Sequence, residues 1–148
     1  MKILIVNTFD IQGGAARAAY RLHRALLDLG ADSQMLVQSK TSDDDTVIGR
    51  VNRTKAQRTI GIVRPKLDAL PLKAYRNKTS TLFSPAQIPM GGIVDAIKAI
   101  DPDIVHLHWI CGGMIRIEDL SRIKTPIVWS LHDMWAFTGG CHYDEGCG

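Results

Sequence analysis

Lys2-Ile3-Leu4-Ile5-Val6-Asn7, the loop Thr8 to Gln12, and Gly13-Gly14-Ala15-Ala16-Arg17 decide how this chain is read. The first six residues form a short apolar run of the kind that makes a fully buried strand. Gly13-Gly14 close the loop that follows. From Ala15 the spacing changes: Ala15, Ala16, Ala18, Ala19, Leu22, Ala25, Leu26 and Leu29 recur every three or four residues, which predicts a helix. Gly30 stands where a left-handed residue would end it. Strand, glycine turn and helix make the first half of a βαβ unit. A helix starting at the end of a strand presents backbone N–H groups and a positive dipole end, which suits a phosphate. The competing reading of Gly13-Gly14 is a tight turn and nothing more.

The loop lacks the G-x-G-x-x-G spacing of a dinucleotide site and the G-x-x-x-x-G-K-[ST] spacing of a nucleoside triphosphate site. The next apolar run, Met35-Leu36-Val37, leads into Gln38 and Ser39, where a ribose-binding acid would stand. The result is a phosphate cradle without a nicotinamide or ATP signature.

At 148 residues the chain suits one domain, able to bury about 70% of its unfolded surface. Hydrophobic residues at 45% and charged residues at 22% match a soluble globular protein. Ile3 to Val6 is too short for a secretory leader, and no apolar run reaches the ~20 residues that span a bilayer. A cytoplasmic location is expected, with peripheral contact at the inner membrane face as an extension of it. Three cysteines, an odd number, argue against a disulfide framework.

Charge is unevenly spread. Arg50 to Lys78 holds nine basic residues and one acid, Asp68, for a local charge of +8, so the remainder carries −5 of the total +3. Such separation suits an anionic partner, an anionic membrane surface among them; the alternative is a solvated helical face. No nucleic-acid partner is expected.

Further along, Ser33 to Gln38 reads as a second strand and Ser39 to Asp45 as a polar, solvated loop. Asn52 to Val63 and the apolar positions through Ala74 read as helical pieces interrupted by Pro65 and Pro71. Thr79 to Phe83 reads as a short strand. Ile93 to Ile100 reads as an amphipathic helix ended near Asp101-Pro102. Residues 103–108 form a strand, Ile115 to Ile123 a short helix, and residues 126–131 another buried strand. Alternating strands and helices imply an α/β fold, a Rossmann-like, mostly parallel sheet with helices on both faces. Ligands of such sheets sit beyond the carboxyl ends of the strands, where Gly13-Gly14, His108-Trp109 and His132-Asp133 all fall.

Several of these residues could carry chemistry. His106 and His108 alternate on a strand and share a face; together they could hold zinc, or His106 could be buried and hydrogen-bonded while His108 borders the cleft. His132 is the principal catalytic candidate. At a strand end it could donate to a sugar hydroxyl or move a proton, with Asp133 fixing nearby geometry; the alternative is a merely structural His-Asp turn. Cys141-His142 and Cys147 lack zinc-knuckle spacing and would need ligands beyond Gly148, so no metal site is assigned.

These blocks carry a resemblance. The Gly13-Gly14-Ala15-Ala16-Arg17 turn, Asp103-Ile-Val-His-Leu-His-Trp109, and Ser130-Leu-His-Asp-Met-Trp-Ala-Phe-Thr-Gly-Gly-Cys141 resemble family 4 glycosyltransferases, especially bacterial members that assemble surface polysaccharide and lipopolysaccharide. The resemblance implies the GT-B architecture, two Rossmann-like domains with the substrates between them, of which residues 1–148 are the amino-terminal, acceptor-side domain. The carboxyl-terminal domain, with its paired glutamates, is absent from these residues. It implies a retaining transfer of sugar from a nucleotide-sugar donor to a glycan or lipid-linked acceptor, with no resident cofactor. Gly13 and Gly14 match the loop that approaches the donor diphosphate, and His132 matches the histidine that contacts the donor sugar. Arg17 would add charge to the same anion, and His108, Trp109 and Asp133 would complete the substrate site. Alone, the chain is expected to be inactive, and its cleft face can pair with a second copy in a homodimer. The rival expectation is a non-catalytic module that binds a nucleotide or sugar phosphate.

Overall fold

Eight residues of extended chain, Lys2–Phe9 (β1), are buried without interruption from Ile3 to Thr8. A strand with no face for solvent needs neighbours on both edges and cover on both sides. The computed structural model, which describes residues 1–49, 70, 82–86 and 92–144, supplies them. After β1 come α1 (Gly14–Asp28), β2 (Asp32–Ser39) and β3 (Val47–Gly49). Then follow α2 (Ile93–Ile100), β4 (Ile104–Leu107), α3 (Ile117–Leu120), β5 (Ile127–Trp129) and α4 (Trp135–Thr138). The strands form one parallel sheet in the order β3-β2-β1-β4-β5.

The alternation of β1 divides the core. Ile3 and Ile5 point to one side and pack with Ala19 of α1, Met35, Val37 and Val47. Leu4 and Val6 point to the other and pack with Ile93, Val94 and Ile97 of α2, Val105 and Leu107. Helices therefore cover both faces, as the alternating pattern implied. The chain steps outward from β1 to β2 and β3, then returns to the other side of β1 as β4. That reversal opens a crevice between the carboxyl ends of β1 and β4.

Helix α1 ends where Gly30 predicts. Gly30 has φ 77°, its N–H donates to Leu27 O at 2.9 Å, and the Ala31 N–H donates to Leu26 O at 2.9 Å. The two bonds form a Schellman cap, whose left-handed residue glycine adopts without Cβ strain.

Three expectations are corrected, and one strand joins those expected. Asp44, placed in a solvated turn, is a half-buried anchor that accepts hydrogen bonds from Tyr20, Arg24 and Thr46. β3, which follows it, was not foreseen, because three residues carry too little periodicity. The helix expected over 115–123 is the single turn Ile117–Leu120, and Ile115 is buried in the preceding loop. The buried strand expected over 126–131 is the three-residue β5, with Ile127 and Val128 exposed at 39% and 49%. It is an edge strand paired only with β4 among the described residues. Within Thr79 to Phe83, Phe83 forms an isolated antiparallel bridge to Cys141, and residues 79–81 lie outside the described residues. So does the basic segment, apart from exposed Leu70. No helix among the described residues is long and apolar enough to cross a membrane.

Burial decides what a truncation does. Ile5→Ala empties a fully buried position and should lower unfolding free energy by about 2–5 kcal/mol, whereas Val128→Ala on the exposed edge should change it by less than about 1 kcal/mol. Urea denaturation of both variants checks the contrast; equal losses would contradict the assignment of β5 to an edge.

Candidate functional site

The crevice is assembled from the polar end of β1. Asn7 and Thr8 are buried, and both stitch β1 to the loop after β4. Asn7 Oδ1 accepts the Trp109 N–H at 2.7 Å. The Thr8 N–H and hydroxyl both donate to Trp109 O, at 2.8 and 2.9 Å, and the hydroxyl also reaches Cys111 O at 2.7 Å. Trp109 is thereby fixed, and its ring stacks near Phe9 at 6.1 Å between centroids.

One residue further, Asp10 is fully buried. Its carboxylate accepts the backbone N–H groups of Ile11, Thr41 and Ser42 at 2.7–2.9 Å and the Thr41 hydroxyl at 2.9 Å. Burial alone would raise its pKa, but the bonds from Ser42 and Thr41 outweigh it and hold the carboxyl at about 2 against an ordinary 3.8. Asp10 thus ties the start of the glycine loop to the loop after β2. By sequence Asp10 lies in the loop between Thr8 and Gln12 with no role assigned; an acid just past a buried strand and before Gly-Gly is the signal that could have found it.

Gly13 has φ 90° and precedes α1 with no side-chain cap. Gly14, the first helical residue, differs. Its φ is not in the left-handed region, and a Cβ built there meets no atom within 4 Å. The fold requires glycine at Gly13 but not at Gly14.

Opposite this loop stand the residues after β5. Asp133 accepts the Trp109 indole N–H at 2.9 Å and the Trp135 backbone N–H at 3.0 Å. Its Oδ2 also pairs with His142 Nδ1, and His142 Nε2 lies 2.8 Å from Ser84 Oγ. The carboxylate thus takes the His142 Nδ1–H, which leaves Nε2 to accept the Ser84 hydroxyl. This Ser-His-Asp order resembles a nucleophile relay, but Ser84 is buried and does not line the cleft. With three donors on its carboxylate, Asp133 is an organiser that locks Trp109, His142 and the α4 turn together.

His132 is exposed, and its Nε2 lies 2.8 Å from Nδ1 of buried His108. The rings of His106, His108 and His132 form a stack, 4.5 Å and then 5.1 Å between centroids. His106 Nε2 meets Ser130 Oγ at 2.8 Å, the hydrogen-bonded alternative for that residue. Burial, reinforced by His106 and His132, lowers the His108 pKa to about 4; burial and then His132 lower that of His106. Both are neutral at physiological pH. Burial also pushes the Cys111 thiol up, which leaves it inert. Among the described residues no group of three or more His, Cys, Asp or Glu is placed to hold a metal.

Gly13, Gly14, Trp109, His132 and Asp133 line one cleft of about 490 Å³, together with Asn7, Phe9, Gln12 and His142. His108 stands behind His132 rather than in this lining, and Arg17, exposed on α1, is not part of it either.

Residues 12–145 match the family described as Glycosyltransferase Family 4. The chain belongs to that family. It is 24% identical over 161 residues to a protein of Escherichia coli (strain K12) named "Putative colanic acid biosynthesis glycosyl transferase WcaC". That alignment covers 99% of this chain and 37% of the relative, so the chain spans little more than a third of the protein it matches. No solved structure matches the chain significantly.

The Asp10 network has a pH signature. A carboxyl whose folded pKa is depressed stabilises the fold above its unfolded pKa, near 4, and loses that contribution as pH falls through about 2. Asp10→Asn should lower unfolding free energy by about 1–3 kcal/mol at neutral pH, because a buried N–H loses its acceptor. The deficit should shrink as pH falls from 4 towards 2. Denaturation across that range checks it; a deficit independent of pH would contradict the role of the charge.

Proposed function

We propose that this chain is the amino-terminal, acceptor-side domain of a GT-B glycosyltransferase that transfers sugar, with retention, from a nucleotide-sugar to a glycan or lipid-linked acceptor in surface polysaccharide assembly. Family membership supports the reaction class, and the name of the Escherichia coli relative supports the pathway class. One observation carries the reading of the site. Gly14 lies in the cleft with open space where a Cβ would stand, although folding does not demand glycine there. Space kept clear at a helix start suits a diphosphate approaching backbone N–H groups.

In this reading the donor diphosphate lies against Gly13 and Gly14, while Arg17, exposed on α1 outside the cleft lining, takes no part in holding it. His132 contacts the transferred sugar as the catalytic residue, and Trp109 and Asp133 shape the wall that sugar meets. The chain's own contribution is to bind, orient and exclude water; the paired carboxylates of the family belong to a second domain. One helix start stabilises an anion by about 0.3–1 kcal/mol when exposed and up to ~2 when partly buried. Against the entropy lost on association, that sustains only weak binding by this domain alone. Acidic lipid and a second copy of the chain remain partners of this proposal, through residues 50–78 and the cleft face respectively.

Titration calorimetry of the 148-residue chain with UDP- and GDP-sugars should give dissociation constants of roughly 1 mM, about −4 kcal/mol, and no sugar transfer. Gly14→Ala should abolish that binding while leaving the melting temperature unchanged or slightly raised, since alanine favours helix over glycine. Undiminished binding by Gly14→Ala would contradict the cradle. Micromolar binding by the wild type would favour the rival, a free-standing nucleotide- or sugar-phosphate-binding module.

A further inference from the structure

We propose that His108 is a positioning residue that donates its Nδ1–H to His132 Nε2, and so fixes His132 in the tautomer that offers an Nδ1–H to an acceptor atom of the ligand. Neutral imidazole carries one proton on one of two nitrogens, and which nitrogen is protonated follows from its partners. The 2.8 Å bond between His108 Nδ1 and His132 Nε2 permits two assignments. If His132 were the donor, the proton of His108 would sit on its Nε2. That atom is buried and has no hydrogen-bond partner. An orphaned N–H in a protein interior is rarer than an unsatisfied acceptor, so the proton belongs on Nδ1, where His132 receives it.

The ring of His108 has little freedom to evade this choice. Its backbone N–H donates to Val6 O at 2.9 Å, and its carbonyl accepts the Trp129 indole N–H at 3.1 Å. Its imidazole is held between those of His106 and His132. The doubly protonated form does not intervene, because burial together with the two neighbouring histidines keeps His108 neutral at physiological pH. With Nε2 occupied as an acceptor, the nitrogen of His132 left for the cleft is Nδ1, and it carries hydrogen. The site therefore meets its ligand at this point as a donor, which favours a ligand oxygen with a free lone pair. His108, expected from the resemblance to complete the substrate site, acts through His132.

The inference rests on the proposed function only in treating the cleft as a ligand site. The tautomer is measured without ligand, so either reading can fail alone. The 148-residue chain labelled with ¹⁵N-histidine is examined by long-range ¹H–¹⁵N correlation at neutral to mildly alkaline pH, with signals assigned by their loss in His132→Gln and His108→Leu. His132 should show a pyridine-type Nε2 and a pyrrole-type Nδ1, and His108 a pyrrole-type Nδ1. In His108→Leu, His132 should move to the Nε2–H form that free histidine prefers. His108→Asn, whose amide N–H can stand near the lost Nδ1, should restore the bare Nε2. A pyrrole-type Nε2 on His132 in the wild type overturns the proposal; if no variant folds, through-bond correlation from the assigned backbone of His132 identifies its ring signals instead. A His132 signal unmoved in His108→Leu, or an Asn variant that behaves like Leu, also counts against it.

Discussion

Parallel pairing of β1 on both edges is the constraint from which the remaining structure follows. Its backbone is hydrogen-bonded to β2 on one side and β4 on the other, and its side chains enter both halves of the core. Chain direction then forces a reversal, because β2 and β3 occupy one side before β4 and β5 fill the other. The carboxyl ends of β1 and β4 become the two lips of a crevice. A strand buried in this way can carry polar residues only where partners await them. Asn7, Thr8 and Asp10 therefore build the crevice instead of merely bordering it.

The two lips are stiffened by different chemistry. On the glycine side a single carboxylate gathers backbone N–H groups from two loops, a charge-assisted arrangement that outweighs the burial of Asp10. On the opposite side Asp133 collects an indole, an imidazole and a backbone N–H. Among the described residues neither carboxylate is hydrogen-bonded to a Lys or Arg side chain. Positive potential in the cleft is left to backbone N–H groups and the dipole of α1, and His106 and His108 stay neutral behind it. Such a surface suits the anion and sugar proposed for it, the one through the direction of its N–H groups and the other through hydroxyl contacts.

Much of the fold was legible because its signals are periodic. The apolar run of β1, the helical spacing of α1 and α2, and Gly30 as a cap each report local physics, and each element lies within two residues of its expected ends. The run ending at Leu131 misled because apolar sequence signals a strand without saying whether a neighbour lies beyond it; Ile127 and Val128 sit on an edge. At the site, Gly13, Gly14, Trp109, His132 and Asp133 were recoverable because strand ends are where α/β sheets place ligands. Asp10, His142 and Ser84 were not. Their roles depend on partners 31, 9 and 58 residues away, and no periodicity encodes a hydrogen bond at that range.

In the proposed function the glycine loop and the Trp109–Asp133 wall act as one binding site. Amide and indole ¹H–¹⁵N shifts of the chain, followed through a titration with UDP-glucose to millimolar concentration, test it directly. The amides of Gly13, Gly14 and Ala15 and the Trp109 indole should shift together along one saturable curve, while Ile48 and Gly49 on the far edge stay still. Shifts confined to the far edge, or a Trp109 indole that does not move while the glycine loop does, would contradict a single shared cleft.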